Sequence, residues 1–499
     1  MKTWEQWMQN QERQMALQTA LTLLEYDMET QAPEEARKYT ARVIGILNSM
    51  LQEETLSEEN QRLLEKLAGK KSLTVEQAAM VRRAEKERQR LAAIPADEYR
   101  EYSELAASST GIWARARREG DFSLFAPTLE KMLEMTKRFA VRRAKKGQDP
   151  YDVLLDEYEE TFTREALDPF FSLLKSELTS LLRELTPVVQ RVDDSFLHRH
   201  CSAERQRQFA GRLADYMGFD RKRGTTAESE HPFTTNLHNH DVRFTNHFYE
   251  DQPASAIFTA IHEGGHALYE QGIRDDLTQT PVGGGTSCGM HESQSRFYEN
   301  VLGRDENFWK PLYGDLQDML PEAFGDVSLH EFILAVNKPQ PSLIRTEADE
   351  LTYSLHILIR YELEKQLFDG DLEVRDLPEA WNAKMEEVLG IRPENDREGV
   401  LQDIHWAQGS FGYFPSYALG NAFAAQLYHQ MRKALPVEEL LAQGKLSVIT
   451  AYLREHIHQY GGTRNSRQLL CEVTGEEFNP RYYVEYLREK FTGLYLSRE

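Results

Sequence analysis

An HExxH sequence at residues 262–266 constrains the fold of this chain more than any other feature of its sequence. It lies within a stretch, from about Ala254 to Gln271, whose apolar residues recur at helical spacing. On a helix, His262 and His266 lie one turn apart on the same face, so both imidazoles can reach one metal ion. The sequence therefore predicts a helix here, with a metal site on one of its faces.

Two glycines, Gly264 and Gly265, lie between these histidines. Each costs a helix about 1 kcal/mol relative to alanine, so a purely structural helix would favour alanine at both positions. Small residues permit another element, or a substrate, to approach the backbone closely. The glycine pair therefore supports the metal-site interpretation and predicts a close neighbour.

The residue after the first histidine, Glu263, has the chemistry of a general base. A catalytic zinc takes imidazole nitrogens as ligands and keeps one coordination position open for water. Glu263 can reach that water without binding the metal itself. It can take a proton as the water attacks a carbonyl, and can then deliver the proton to the leaving amine.

A third metal ligand must come from outside the HExxH sequence. The pattern HExxHxxGxxH is excluded, because Ala-Leu-Tyr-Glu-Gln follows His266. Glu292, at the start of the next predicted helix, is the leading candidate. Glu270 and Glu299 compete with it, although both fit better as partners that support the ligands. We expect His291 to be a helix-start or packing histidine.

The rest of the sequence indicates a mainly α fold. Glycine and proline are scarce, at 29 and 18 of 499 residues, so long helices should dominate. Residues 241–245 alternate polar and apolar side chains and predict a short strand. We therefore predict a small β-sheet beside the HExxH helix, an N-terminal helical region at 1–190 and a catalytic region at 191–499.

Charge and cysteine content limit the classes of partner and the cellular compartment that we expect for this protein. Asp and Glu number 81 against 59 Lys and Arg, and a net charge of -22 argues against nucleic acid as a partner. No apolar run approaches the ~20 residues that span a bilayer, and no basic amphipathic stretch suits a membrane surface. The three cysteines have no CxxC spacing, and the first residues form no apolar leader. We expect a cytoplasmic protein that binds neither nucleic acid nor membrane.

Six separate sequence blocks resemble the carboxypeptidase Taq family of zinc metallocarboxypeptidases, and the likeness spans most of the chain. One such block would be weak evidence, but all six occur in order. The blocks are His231-Pro232-Phe233, DxRxT at 241–245, HExxH at 262–266, HESQ at 291–294, IRxxAD at 344–349 and GxxQDxHW at 399–406.

The resemblance implies a large helical zincin-type (neurolysin-like) fold with a deep groove, in one peptidase unit of two lobes spanning 1–499. It implies a homodimer that removes single residues, with broad specificity, from peptides with a free C-terminus. One zinc ion per chain is expected, with cobalt as the alternative. The metal ligands and the base that the resemblance implies are His262, His266, Glu292 and Glu263.

A carboxypeptidase must bind a free α-carboxylate, for which arginine is the natural forked partner. Residues 343–368 read as one long helix with a polar stripe that includes Arg345 and Asp349. Such a stripe is also typical of a solvated helix face. Within a block of this family, however, we expect Arg345 to bind substrate and Asp349, one turn on, to hold it in place.

Arg243 is the rival carboxylate binder, and its predicted strand lies just before the metal helix. Zincin peptidases commonly bind substrate along such a strand edge. Asp241 can equally pair with Arg243 as plain scaffolding. The same side of the strand carries Asp241, Arg243 and Thr245, all three of which are candidate substrate-binding residues.

Hydrolysis of an amide creates an oxyanion, which needs a hydrogen-bond donor besides the metal. Related zincins use a histidine and one or two tyrosines from a Gly/Tyr-rich stretch similar to residues 405–417. By that likeness His405, Tyr413 and Tyr417 are candidates, with Tyr417 first. The alternative is that both tyrosines simply pack.

Two other functions compete with the metallocarboxypeptidase. An endo-acting zinc oligopeptidase of the neurolysin type would share the metal site but cut internal bonds. An inactive peptide-binding scaffold would have no reason to retain Glu263 and all three ligands. Nucleophilic and nucleotide chemistry are disfavoured, because the sequence has no GxSxG elbow and no GxxxxGK[ST] loop.

Overall fold

Helices make up 70% of the structure, a computed structural model in which residues 2–496 are described. The remaining regular structure is a three-stranded sheet. The predicted class, mainly α with a small sheet, is confirmed. Among residues 2–496, no helix combines the length and the apolar character needed to cross a bilayer.

The helices follow one another along the chain, and the three strands lie between α9 and α10. The α-helices are α1 (Lys2–Thr30), α2 (Arg37–Leu56), α3 (Glu58–Leu67), α4 (Val75–Ala92), α5 (Ala96–Glu119), α6 (Ala126–Arg143), α7 (Pro150–Tyr158), α8 (Arg164–Val189), α9 (Ala203–Met217), α10 (Pro253–Gly272), α11 (Cys288–Arg296), α12 (Glu306–Trp309), α13 (Tyr313–Met319), α14 (Pro321–Phe324), α15 (Leu329–Val336), α16 (Glu350–Asp369), α17 (Leu377–Leu389), α18 (Pro415–Ala434), α19 (Val437–Ala442), α20 (Leu446–His456), α21 (Ser466–Thr474) and α22 (Arg481–Tyr495). The strands are β1 (Gly224–Glu228), β2 (Thr234–His238) and β3 (Asp241–Asn246).

The chain divides into two compact units, each built from three segments. The first unit comprises Met1–Ala92, Asp193–Val336 and Leu427–Phe478. The second unit comprises Ala93–Val192, Asn337–Gln426 and Asn479–Glu499. Residues 2–189 are mostly helical. The N-terminal region at 1–190 and the catalytic region at 191–499 remain a prediction. Residues up to Ala92 belong to the unit that contains the HExxH helix.

In the first unit, the sheet has the order β1-β3-β2, with β1 parallel and β2 antiparallel to β3. The strand predicted at 241–245 is the central strand. Its buried face carries Val242 and Phe244, which pack with Phe219 and with Ala267 of α10. Because side chains alternate along a strand, Asp241 and Arg243 lie on the opposite face. The sheet therefore lies against the HExxH helix, as predicted.

The HExxH helix, α10, spans Pro253–Gly272, close to the predicted 254–271. It packs against β3, α9 and α11. A Cβ atom on Gly265 would lie 2.8 Å from Ser295 Cα and 2.9 Å from Gln294 O, so the backbone of α11 passes directly over this glycine. A Cβ atom on Gly264 would lie 2.9 Å from Cε of Met217. The close neighbour predicted from the glycine pair is therefore α11, together with the end of α9.

In the second unit, the long helix predicted over 343–368 is wrong at its N-terminal end. Arg345 lies in a separate 3-10 turn, Arg345–Glu347, and α16 begins at Glu350. The reason is Asp349, whose carboxylate accepts hydrogen bonds from the backbone N–H groups of Leu351 and Thr352. An aspartate in that role caps a helix and stops it from extending backwards. The polar stripe is thus interrupted between Arg345 and the helix.

The contact at Gly265 gives a prediction about stability with a matched control. Gly265→Ala places a methyl group against the backbone of α11, which cannot move aside cheaply. We expect the free energy of unfolding to fall by about 1–3 kcal/mol, despite the ~1 kcal/mol that alanine adds to helix propensity. Gly264→Ala meets only the flexible end of Met217, so its loss should be smaller. Thermal unfolding of both variants measures the difference, and equal midpoints would contradict the prediction.

Candidate active site

The first unit brings together the three predicted metal ligands. Each of these residues, His262, His266 and Glu292, offers one ligand atom, and the three atoms lie within 4.8 Å of one another. The Nε2 atoms of the two histidines are 3.8 and 3.6 Å from Glu292 Oε2. A tetrahedral ion with bonds of about 2.0–2.1 Å holds its ligands about 3.3 Å apart. The two nitrogens and one oxygen therefore fit a divalent metal ion.

Each histidine ligand is held through the nitrogen that faces away from the cluster. His262 Nδ1 lies 2.8 Å from Glu299 Oε2. His266 Nδ1 lies 2.6 Å from His291 Nδ1, and His291 Nε2 lies 2.7 Å from Glu270 Oε1. Glu270 and Glu299 thus support the ligands, as the sequence indicated. His291 lies near the start of α11, as expected, and its ring packs against Tyr269. The structure adds a further contact, because His291 also connects His266 to a carboxylate.

This chain of contacts fixes how the His266 ring is protonated when its Nε2 binds a metal. Nδ1 of His266 must then carry a proton and donate a hydrogen bond to Nδ1 of His291. His291 in turn carries its proton on Nε2 and donates to Glu270. Glu270 also accepts from Gly285 N at 2.9 Å and from Asn236. Burial alone would raise the pKa of Glu270, but these donors outweigh it and lower the pKa.

The third ligand is oriented by an arginine on its own helix. Arg296, four residues beyond Glu292, donates to Glu292 Oε1 at 2.7 Å and to Glu299 Oε2 at 3.1 Å. Burial acts to raise the pKa of Glu292, yet Arg296 and the two histidines hold it well below its usual range. Because Arg296 occupies Oε1, Oε2 is left to face the histidines. A π-helical turn, Phe297–Leu302, follows at once and carries Glu299.

The predicted general base, Glu263, lies on α10 and is buried. Burial raises the pKa of its carboxyl group. The Thr234 hydroxyl, at the start of β2, donates to Glu263 Oε2 at 2.6 Å. A carboxylate with a raised pKa accepts a proton more readily near neutral pH, which suits a base that must also return the proton.

Of the three candidates on β3, two pair with each other and one is enclosed. The guanidinium of Arg243 donates to both oxygens of Asp241, at 2.8 and 2.7 Å, and lies 5.0 Å from the ring centre of Tyr26. Thr245 is fully buried, and its hydroxyl bonds Ser229 Oγ at 2.6 Å. Thr245 therefore supports the sheet and is not open to a ligand, unlike the substrate-binding role expected of it.

In the second unit, Arg345 is buried and bonded to a residue distant in sequence. Its Nε and Nη2 donate to Asp403 Oδ1 at 2.9 and 2.7 Å, and its Nη1 donates to Tyr353 OH at 2.8 Å. The expected contact between Arg345 and Asp349 is absent, because Asp349 caps α16. Arg360, fully buried, donates to Asp403 Oδ2 at 2.7 Å. Two guanidinium groups therefore share one carboxylate.

The candidate oxyanion donors of the second unit lie together. His405 Nε2 is 3.3 Å from Tyr417 OH, and the Tyr413 and Tyr417 rings are 5.1 Å apart, centre to centre. Burial, with Arg345 and Arg360 nearby, lowers the pKa of His405 to about 4. The imidazole is therefore neutral at pH 7 and has one N–H to donate.

A buried carboxylate supports the segment that carries these three residues. Glu364 of α16 accepts from Trp406 Nε1 at 2.7 Å, from Tyr151 OH at 2.7 Å and from Gly412 N at 2.8 Å. Burial raises its pKa to about 7, although these three donors act against the rise. Glu364 thus holds the segment at two points, beside His405 and beside Tyr413.

Sequence reasoning missed the contacts of three groups near the candidate metal ligands in the first unit, and those of Asp403 in the second unit. Arg296 could have been found, because a Glu–Arg pair at i, i+4 on a helix is a recognisable signal. Asp403 lies inside one of the six blocks, but no spacing links it to Arg345. No local sequence pattern marks the contacts of Thr234 and His291, because both depend on tertiary packing.

The connection through His291 gives a prediction about metal affinity. His291→Phe keeps a ring in place but removes both nitrogens, so His266 loses the partner that fixes its orientation. We expect the dissociation constant of the metal to rise by about 10–100-fold. Competition with a chromogenic chelator measures it, and His330→Phe, at an exposed position, is the control. Unchanged affinity in His291→Phe would show that the contact does not support the ligand.

Known proteins match this chain along nearly its whole length. The family model described as carboxypeptidase Taq (M32) metallopeptidase matches residues 6–491. Carboxypeptidase 1 of Bacillus subtilis is 41% identical over 479 residues, 96% of this chain and 95% of that protein. Thermostable carboxypeptidase 1 of Thermus thermophilus is 38% identical over 486 residues, 95% of either protein.

Solved structures of carboxypeptidases have the same fold as this chain. The M32 carboxypeptidase from Deinococcus radiodurans R1 superposes with a TM-score of 0.95 at 36% identity, covering 99% of this chain and 100% of that one. A Pyrococcus furiosus carboxypeptidase gives a TM-score of 0.95 at 34% identity, covering 98% and 99%. The resemblance carried by the six sequence blocks is confirmed. The chain belongs to the carboxypeptidase Taq (M32) family of metallopeptidases.

Proposed function

We propose that this protein is a zinc metallocarboxypeptidase that removes single residues from the free C-terminus of peptides, with broad side-chain tolerance. The observation that carries the proposal is the cluster of His262, His266 and Glu292 with the Glu263 carboxylate on the same helix as both histidines. Family membership supports it, since the relatives are named carboxypeptidases.

The metal we propose is one zinc ion per chain, with cobalt as the alternative. Two imidazole nitrogens and one carboxylate oxygen form a ligand set that zinc peptidases use, and they leave a fourth position open. When bound there, a divalent ion would supply Lewis-acid chemistry, which polarises a carbonyl group and lowers the pKa of water. Glu263 would take a proton from water as the water oxygen attacks the scissile carbonyl carbon, and would deliver that proton to the amide nitrogen as the C–N bond breaks.

For the substrate carboxylate we propose Arg345, with Arg243 and its partner Asp241 as the second candidate. Arg243 donates two hydrogen bonds to the carboxylate of Asp241, which neutralises its charge. Arg345 shares Asp403 with Arg360, so part of the positive charge in that buried cluster is uncompensated. An uncompensated buried charge favours binding of an anion.

For the oxyanion we propose that Tyr417 is the donor, and that His405 and Tyr413 hold it in position. The phenol hydroxyl of Tyr417 lies beside the neutral imidazole of His405, which can accept or donate the bond between them. A donor of this kind strengthens as negative charge develops on the carbonyl oxygen.

The test is mass spectrometry of one unstructured peptide in free-acid and C-terminally amidated forms, with and without a chelator. We expect a chelator-sensitive ladder of C-terminal losses from the free acid alone. Glu263→Gln should lower kcat by about 10²–10⁴-fold while the metal content stays unchanged. Internal fragments from both peptide forms would instead identify an endo-acting oligopeptidase, and no cleavage after zinc or cobalt loading would indicate a peptide-binding scaffold.

We propose that the protein works in the reducing cytoplasm. Its three cysteines, Cys201, Cys288 and Cys471, are all free thiols, as is usual where disulfides do not persist. Burial raises the pKa of Cys201 to about 11, which keeps this thiol unreactive.

We also propose a homodimer, in which the exposed face of α2 binds a second copy of the chain. Tyr39, Val43, Ile46 and Met50 on this helix are 74%, 46%, 55% and 46% exposed. Their 4-3-4 spacing places all four on one face, the pattern by which two helices pair. Exposed apolar side chains in such a row are unusual on a monomer, and the resemblance to a dimeric family supports a second copy as the partner.

Light scattering tests the dimer. We expect a mass about twice the 57.8 kDa of one chain. Ile46→Glu places a charge in the proposed interface and should give the mass of one chain. Val141→Glu, at an equally exposed apolar position on α6, should not change the mass. A dimer that tolerates Ile46→Glu as well as Val141→Glu would place the interface elsewhere.

A further inference from the structure

The carboxylate of Glu263 is held by a single hydroxyl group from the sheet. Thr234 Oγ1 lies 2.6 Å from Glu263 Oε2 and 3.1 Å from the Glu263 carbonyl oxygen. Threonine has one hydroxyl proton, and a bond to a carboxylate is shorter and stronger than one to a neutral carbonyl. Within residues 2–496, no other side chain donates a hydrogen bond to this carboxylate. Its orientation therefore depends on Thr234.

Thr234 is itself fixed by the neighbouring strand. It pairs with Phe244 of β3 in the antiparallel register. The residue before it, Phe233, forms hydrogen bonds with Thr245 in both directions. Phe233 N donates to Thr245 Oγ1 at 3.0 Å, and Thr245 N donates to Phe233 O at 2.9 Å. Thr245 is fully buried and is also bonded to Ser229, so these contacts hold the start of β2 against β3.

A base must lie within hydrogen-bond reach of the proton that it takes. A glutamate side chain has three rotatable bonds, and ordering it costs up to about 2 kcal/mol of rotamer freedom. A bond that holds Oε2 orders the carboxylate before substrate arrives and leaves Oε1 for proton transfer. The β-branched Thr234 suits this task, because its own χ1 is restricted.

We propose that Thr234 is a positioning residue for the general base: its hydroxyl, fixed through Phe233 by Thr245, sets the orientation of the Glu263 carboxylate. The proposal rests on the proposed function, in which Glu263 moves the proton. It also gives a role to Thr245, the buried threonine of the DxRxT block. Thr245 acts on the base through Phe233 and Thr234, and does not contact substrate directly.

A merely structural hydroxyl would affect stability, whereas a positioning hydroxyl affects the rate of the chemical step. Thr234→Val removes the hydroxyl and keeps the shape of the side chain. Thr234→Ser keeps the hydroxyl. Thr235→Val changes the next residue on the same strand, whose side chain points to the other face, and is the control.

The experiment measures kcat, KM and bound metal for these three variants on a short free-acid peptide. We expect Thr234→Val to lose about 10-fold to 100-fold in kcat, as for a misplaced catalytic group, with KM and metal content near those of the unchanged protein. Thr234→Ser should recover most of the rate, and Thr235→Val should lose none. Full kcat in Thr234→Val, an equal loss in Thr234→Ser, or a loss confined to KM would overturn the proposal.

A crystal structure of Thr234→Val separates this proposal from the proposed function. We expect the Glu263 carboxylate to leave its position or to occupy several in Thr234→Val, and to stay in one position in Thr234→Ser. A carboxylate unmoved in Thr234→Val overturns the proposal, whatever the activity. An unchanged protein that releases no C-terminal residue after metal loading would instead refute the proposed function, while the carboxylate position would still decide the role of Thr234.

Discussion

The arrangement of the metal ligands depends on one backbone contact, the crossing of α10 and α11 at Gly265. Two ligands come from α10 and the third comes from α11, so the separation of these helices sets the distances among all three. The backbone of α11 at Gln294 and Ser295 lies where a side chain on Gly265 would begin. This contact brings Glu292 Oε2 within 4 Å of both histidine nitrogens. Gly265 lowers the intrinsic stability of α10, but it permits the close approach of α11 that sets the distances among the ligands.

Charge explains what that geometry is suited to hold. Around the ligands lie four buried carboxylates, those of Glu263, Glu270, Glu292 and Glu299, and two guanidinium groups, those of Arg296 and Arg304. When all four carboxylates are ionised, four negative charges against two positive ones leave two negative charges, which one divalent ion balances. In the second unit one carboxylate, that of Asp403, is shared between Arg345 and Arg360. Buried charges need compensation, so the first cluster favours a cation.

Sequence patterns were reliable where function depends on spacing along one element. The HExxH helix, its bounds and the strand beside it followed from periodicity and residue type, and the six blocks identified the family. The wrong or missing predictions concern residues whose contacts are not set by the periodicity of one element. Asp349 continues the polar periodicity, which predicts a helical position, yet its carboxylate accepts from the first N–H groups of α16 and caps the helix instead. Arg345 meets Asp403 across 58 positions, and His266 meets His291 across 25. Contacts of that length are set by packing and leave no local mark in the sequence.

The interleaving of the two units has a consequence for how the chain folds during synthesis. The first unit is completed only by the segment ending at Phe478, and the second only by the segment that follows it. In the second unit α22 packs against α8, and Arg488 meets Glu184 across 304 positions. Loop closure over such separations is slow. Until those last segments are synthesised, the helices that pack against them keep apolar faces uncovered, so we expect the nascent chain to expose apolar surface for longer than a chain of two consecutive domains would.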